Sequence, residues 1–333
     1  MNHQEQIDNA VAKTLAAYRQ IARIEFGGGG YTLDVDSPRI QVLRMTNQHG
    51  VGHLRELAAA LAESLRKFPE RTSRMVEVDH IVDLNCGAGL NGVALALLAQ
   101  ASGRSPIVHF VDHAGEAVQF AVELAQHFHV HAVGHVVRKK FANDEDESSD
   151  SAVLESVWLE PGFSPLTGGT MAFAGHALSC WIFNQSAGAG NRQRILEAQN
   201  TAVLETLASR LDPCSSVYVG TVDVGSMYAH KITFMTDRLN HTARELVTTH
   251  RCTPWNESPG DNRRPKYAAF AELGPARVPA TTPGDDLVLW PTLDNEIVIT
   301  TTELAAVIGD VQSFSGTIDS SALDEVLSSL VAS

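Results

Sequence analysis

Residues Ile81 to Leu98 constrain the fold more than any other stretch of the chain. A short run rich in β-branched residues, Ile81 to Leu84, meets a glycine-rich corner, Asn85-Cys86-Gly87-Ala88-Gly89, and an almost wholly apolar segment, Val93 to Leu98, follows. These compositions spell strand, tight turn and helix. Glycine at 87 and 89 permits positive φ and lets a ligand approach the main chain, while the first N–H groups of the new helix point at that ligand. Such a corner suits a flat, partly charged molecule.

Two ligand classes use it. Gly87-Ala-Gly89-Leu-Asn91-Gly92 satisfies the G-x-G-x-x-G dinucleotide pattern, and Asp112 lies about 20 residues further on, where a ribose-binding acid belongs. Alone, this favours an oxidoreductase using NAD(P) or FAD. The other reading begins at Asp83, because Asp83-Leu-Asn85-Cys-Gly87-Ala-Gly89 resembles motif I of the class I S-adenosylmethionine-dependent methyltransferases. A carboxylate beside the glycines suits a ligand with an ammonium and a sulfonium and repels a pyrophosphate. The charge favours the methyl donor.

The resemblance extends through Ile107-Val-His-Phe-Val-Asp112-His113, which looks like the family's second strand and its terminal acid. In the family that acid receives the two ribose hydroxyls. The resemblance implies cofactor contacts at Asp83, Asn85, Gly87, Gly89, Asn91, Asp112 and His113, and an adenine contact near Val136. Asn85 stands where the family has its first glycine, and Asn tolerates the left-handed region better than other non-glycine residues. His176, after the strand at Thr170 to Ala174, is the candidate general base if the acceptor must lose a proton. The resemblance also implies an N-terminal helical lid, here residues 1–70, ahead of a catalytic domain over 71–333 with an insertion at 226–285.

Periodicity supplies the rest. Ile7, Val11, Leu15, Tyr18 and Ala22 mark an amphipathic helix over 5–25, a candidate dimerisation surface, and the leucines at 54, 57, 61 and 65 mark a second helix over 52–68. His49 and His53 stand at the start of that second helix. Strand 77–84, helix 90–102, strand 107–112, helix 115–127 and strand 130–137 then alternate, the signature of an α/β, doubly wound, mostly parallel sheet with ligands at the carboxyl ends of its strands. A helix over 191–211 and a strand over 216–222 continue the order. Residues 226–250 read as helical, 251–285 as Pro- and polar-rich, 287–302 as a closing hairpin and 321–330 as a capped helix.

A formal charge of −14 argues against a broad nucleic-acid or anionic-membrane surface. Cys86, Cys180, Cys214 and Cys252 form no C-x-x-C pair, and no 18-residue apolar run occurs, so a cytoplasmic protein with reduced thiols is expected. Ala142 to Asp150 reads as a solvated acidic loop. A rival of another class rests on His127, His129, His131 and His135, which at alternate strand positions would converge on zinc. The reading that accommodates most is a methyltransferase for a small molecule or short peptide.

Overall fold

Helix α5 (Leu90–Ala101) carries no polar face, and a helix apolar all round must be covered on both sides. The structure, a computed structural model, describes residues 3–26, 37–142, 152–175, 191–224, 227–240, 244–255 and 266–276. In it the sheet covers one side of α5 and helix α1 (His3–Phe26) packs on it from outside. Ile7, Val11, Leu15, Tyr18 and Ala22 of α1 are each no more than 5% exposed and belong to the same apolar cluster as Val93, Leu95 and Leu98. Burying an apolar side chain of this size contributes roughly 1.5–3 kcal/mol, so α1 is a structural wall. Its stripe is spent inside the chain, which removes that face as a dimer surface.

Helix α2 (Pro38–Met45) follows and is held to α6 (Gly115–His127) by Arg39, whose guanidinium reaches the Glu123 carboxylate at 2.6 Å and lies over the Phe120 ring. A single π-helical turn (Thr46–Gly50) joins α2 to α3 (Val51–Lys67), and α4 (Pro69–Val76) leads to the sheet.

Among the described residues eight strands run in the order β4-β3-β2-β1-β5-β6-β8-β7. Strands β1 (His80–Leu84), β2 (Ile107–Asp112), β3 (His131–Phe141), β5 (Thr170–Ala174) and β6 (Val217–Val224) are parallel to their neighbours in this set. Strands β4 (Leu154–Glu160), β7 (Arg244–Trp255) and β8 (Lys266–Ala276) pair antiparallel at the two edges. From β1 the sheet grows through β2 and β3 in one direction and through β5 and β6 in the other, so the switch in strand order falls between β1 and β5. In open α/β sheets ligands bind in the crevice outside the strands at that point. Helices α1, α3, α5 and α6 cover one face; α7 (Asn191–Ala208) and α8 (Met227–Leu239) cover the other.

The doubly wound, mostly parallel sheet and the N-terminal helical layer agree with the sequence reading, whereas the C-terminal third does not. The helix expected over 226–250 ends at Leu239, and Arg244–Trp255 is a strand. The stretch read as Pro- and polar-rich contains β8, whose buried Ala268, Ala269, Phe270 and Ala271 form a continuous apolar run. Together 227–276 supply a helix and two strands of the sheet, where an insertion was expected. The edge is pinned by Arg244, 1% exposed, whose guanidinium donates to the carbonyls of Asp212 and Ser215 at 2.6 Å each and of Gly274 at 3.2 Å. Strand β4 was also unforeseen, because only Leu159 of its last four residues is buried. The hairpin expected over 287–302 and the helix over 321–330 lie outside the described residues.

Candidate functional site

Every residue of β1 is buried, and its register sets Asp83 between Phe110 of β2 and Phe173 of β5 on the α5 face. After Leu84 the chain turns back on itself through three left-handed residues: Asn85 at φ 54°, Gly87 at 51° and Gly89 at 75°. Asn85 therefore does what a glycine would do here.

The glycines have different duties. A methyl group on Gly89 would lie 2.5 Å from the Ala121 Cβ and 2.8 Å from the Phe110 ring, and one on Gly92 would lie 2.7 Å from that ring and 2.9 Å from Asp83 Oδ2. These two let α5 press against β2 and α6. A methyl on Gly87 would meet nothing within 4 Å. Gly87 is the glycine that faces open space.

The two acids divide in the same way. Asp83 is 1% exposed and lies under the turn, accepting the Gly92 N–H at 2.9 Å on Oδ2. Burial pushes its carboxyl up to about 8, against that single N–H, and the Asp112 charge adds to the rise. Near neutral pH Asp83 keeps its proton much of the time, so the charge that the sequence reading assigned to it is weak. Its effect is to cap α5 from inside, occupying the N–H that a phosphate would seek.

Asp112 ends β2 at the rim. Its Oδ2 accepts the Gly87 N–H and its Oδ1 the Ala114 N–H, both at 3.0 Å, and the half-exposed His113 ring lies 3.0 Å from Oδ1. Burial alone would raise this carboxyl, but His113 and the two N–H donors outweigh it and hold it below its ordinary value. Asp112 is thus an ionised carboxylate whose Oδ2 retains one free lone pair. Val136 is its partner in register on β3, and its Cγ2 stands 3.9 Å from where a Cβ on Gly115 would be.

Asn91 completes the corner from the first turn of α5. Its amide nitrogen packs against Gly175, 2.8 Å from where a Cβ there would lie, and its Oδ1 is buried with no partner among the described residues. The structure thus brings the turn residues 85–91, Asp112 and His113 to the carboxyl ends of β1 and β2, with Val136 beside Asp112 in the middle of β3. His176 lies outside the described residues; Gly175, just before it, closes the β5 side of the crevice. Above α5, the π-turn brings Gly50 to Leu90, with a Cβ on Gly50 falling 3.6 Å from the Leu90 side chain, and stacks His49 and His53 with ring centres 6.2 Å apart.

Sequence reasoning missed a buried ion pair. Lys231 of α8 and Asp223 of β6, both fully buried, meet at 2.5 Å, and Lys231 Nζ donates to the Gly175 carbonyl at 3.0 Å. An acid at the end of a strand was a usable signal; a lysine on an amphipathic helix reads as solvated. The zinc reading finds no support. His127 ends α6, His129 takes φ 55° in the following turn, and His131 is exposed at the start of β3, so the helix-to-strand turn scatters them. Among the described residues no group of three or more His, Cys, Asp or Glu side chains could hold a metal ion. Among them, too, no helix is long and apolar enough to cross a membrane.

No family model matches the chain, and no curated protein matches it. In fold the chain is similar to the S-adenosylmethionine-dependent methyltransferase SibL in its apo form, at 16% identity over 80% of this chain and 70% of that one, with TM-score 0.38. It is similar to a methyltransferase of the same cofactor class from Methanosarcina mazei, at 16% identity over 62% of this chain and 98% of that one, with TM-score 0.35. It is also similar to TehB from Haemophilus influenzae, at 10% identity over 64% and 65%, with TM-score 0.33. Scores this low leave the strand order and the geometry of the corner as the grounds for assignment.

Proposed function

We propose that the chain is an S-adenosylmethionine-dependent methyltransferase acting on a small molecule or short peptide. The observation that carries this reading is the Gly92 N–H bonded to Asp83 beneath the turn. A diphosphate needs the free N–H groups and positive end of a helix, and here a carboxyl of the protein already occupies one of those N–H groups from beneath. The surroundings suit the methyl donor instead. Asp112, ionised and with a free lone pair on Oδ2, accepts from a ribose hydroxyl; the open face of Gly87 admits a ligand against the main chain; the unpartnered Asn91 Oδ1 accepts from an ammonium; Val136 offers an apolar edge to adenine.

When bound, the cofactor supplies an electrophilic methyl group on a sulfonium. The chain's part is to align the acceptor and exclude water, and good alignment can lower a barrier by about 7–11 kcal/mol. His176 follows Gly175 at the switch in strand order and is proposed as the base for acceptors that must lose a proton. His49 on the π-turn and His53 in the first turn of α3 are proposed to face the acceptor side, since π-turns often mark functional sites.

Calorimetry with S-adenosylhomocysteine and with NADH tests the assignment. The first is expected to bind and the second not, and tight NADH binding alone would transfer the chain to the oxidoreductases. Asp112→Ala is expected to weaken S-adenosylhomocysteine at least about tenfold, since a hydrogen bond to a charged acceptor is worth roughly 1.5–3 kcal/mol. Unchanged affinity would remove Asp112 from the site.

A further inference from the structure

Three buried histidines on neighbouring strands form a chain that the proposed reaction does not use. His80 begins β1, His109 lies in β2 and His135 in β3; each is no more than 6% exposed. The register of the parallel strands puts all three on the sheet face opposite α5. His80 Nδ1 is 3.2 Å from His109 Nε2, His109 Nδ1 is 3.0 Å from His135 Nε2, and His135 Nδ1 is 2.8 Å from the Pro161 carbonyl, beyond the end of β4. The Phe163 ring packs against the other end of the chain from His80, 5.7 Å from His109 and 4.4 Å from His135.

The protons can be counted from one end. A carbonyl only accepts, so His135 Nδ1 must carry a proton and its Nε2 must accept. His109 Nδ1 must then donate, leaving its Nε2 to accept from His80 Nδ1. Three neutral rings hold three N–H protons, and these three bonds use all of them. With the Pro161 carbonyl accepting at one end, one orientation satisfies these three bonds, with every ring protonated at Nδ1; the Thr167 backbone, which also bonds His80, draws a further proton to that ring. His80 Nε2 is the only ring nitrogen outside those bonds.

That asymmetry decides where acid acts. A proton on His80 Nε2 leaves all three bonds intact, and both the Thr167 backbone and the Asp79 carboxylate favour the charged ring. A proton on His109 Nε2 or His135 Nε2 sets two donors against each other and breaks a bond. The groups acting on His109 are His135, His80 and His131, and on His135 the Pro161 carbonyl, so among the described residues no carboxylate offsets charge on either inner ring. Burial lowers all three and takes His109 to about 3.

We propose that this chain is an acid-labile staple joining β1, β2 and β3 to the turn after β4. The folded protein takes up one proton at His80, whereas the unfolded chain takes up three. Folded values below the free histidine value mean that the unfolded state binds more protons, so the contribution of these rings is complete above about pH 6.5 and is lost as pH falls.

Long-range proton–nitrogen correlation spectra of the ¹⁵N-labelled full chain test the count. At pH 7.5 all three rings are expected to show protonated Nδ1 and bare Nε2, and on acidification His80 is expected to titrate first, with His109 still neutral. An Nε2-protonated His109 or His135, or three rings titrating together, would overturn the proposal. A second measurement is proton uptake on urea unfolding near pH 5, in wild type and in His109→Gln, whose amide can accept from His80 and donate to His135. Uptake is expected to fall by about one proton in the variant, and an unchanged value would sink the proposal. If His109→Gln fails to fold, the wild-type spectra decide alone.

Discussion

Two ends of the same sheet edge keep buried carboxyls in opposite ways. At the β1–β2 corner Asp83 keeps its proton and Asp112 is held ionised by N–H donors, while at the end of β6 Asp223 is matched by the Lys231 cation. A hydrogen-bonded carboxyl can trade its neighbours for water or a ligand; a buried ion pair cannot lose one member without stranding the other. The corner is therefore built to bind something, and the β6 end to hold Gly175 and the backbone of β5 in place.

The largest expected effect falls on the ion pair. Lys231→Met leaves Asp223 buried without its cation and is expected to cost about 3–5 kcal/mol of stability in urea unfolding. Lys231→Met with Asp223→Leu removes both charges and is expected to recover most of that loss, because the desolvation cost of the pair goes with it. A single variant as stable as wild type would show that the pair holds nothing.

The glycines sharpen the contrast within the corner. Gly89→Ala drives a methyl into Ala121 and Phe110 in a left-handed turn, and a loss of about 2–4 kcal/mol is expected. Gly87→Ala meets only the backbone penalty of roughly 1 kcal/mol, since its side opens on empty space. It is expected to weaken S-adenosylhomocysteine by more than it weakens the fold. Equal stability losses at the two positions would mean that the open side of Gly87 has been misread.

Much of this corner was readable from sequence because its signals are local. Strand, turn and helix follow within 20 residues of one another, and the acid ending β2 sits a predictable distance on. Asn85 in place of glycine was readable too, since Asn is tolerated at the φ it adopts. The histidine chain was not, because His80, His109 and His135 meet only through the register of three strands; local spacing pointed to His127, His129 and His131, which a turn scatters. Strands β7 and β8 escaped because an edge strand can be polar and a buried one continuous, so neither shows the alternation by which strands are found. The capping of α5 by Asp83 was half legible: the acid was visible, but only burial reveals that it faces inward.

The smallest effect on binding is expected at Asp83, and it tests whether charge or shape matters there. Its carboxyl moves from the ordinary aspartate value in the unfolded chain to about 8 in the fold. The folded state thus binds the extra proton, and the stability this contributes is present at acid pH and is lost as pH rises toward 8. Asp83→Asn keeps an oxygen for the Gly92 N–H and has no proton to lose, so its stability is expected to stay flatter than wild type between about pH 4 and 8. The difference approaches one proton, about 1.4 kcal/mol per pH unit, and urea midpoints across the range measure it. S-adenosylhomocysteine affinity near pH 7 is expected to change by no more than about twofold. A tenfold loss in Asp83→Asn would restore the charge to its role in binding, and Asp83 would then share with Asp112 the task of holding a cation.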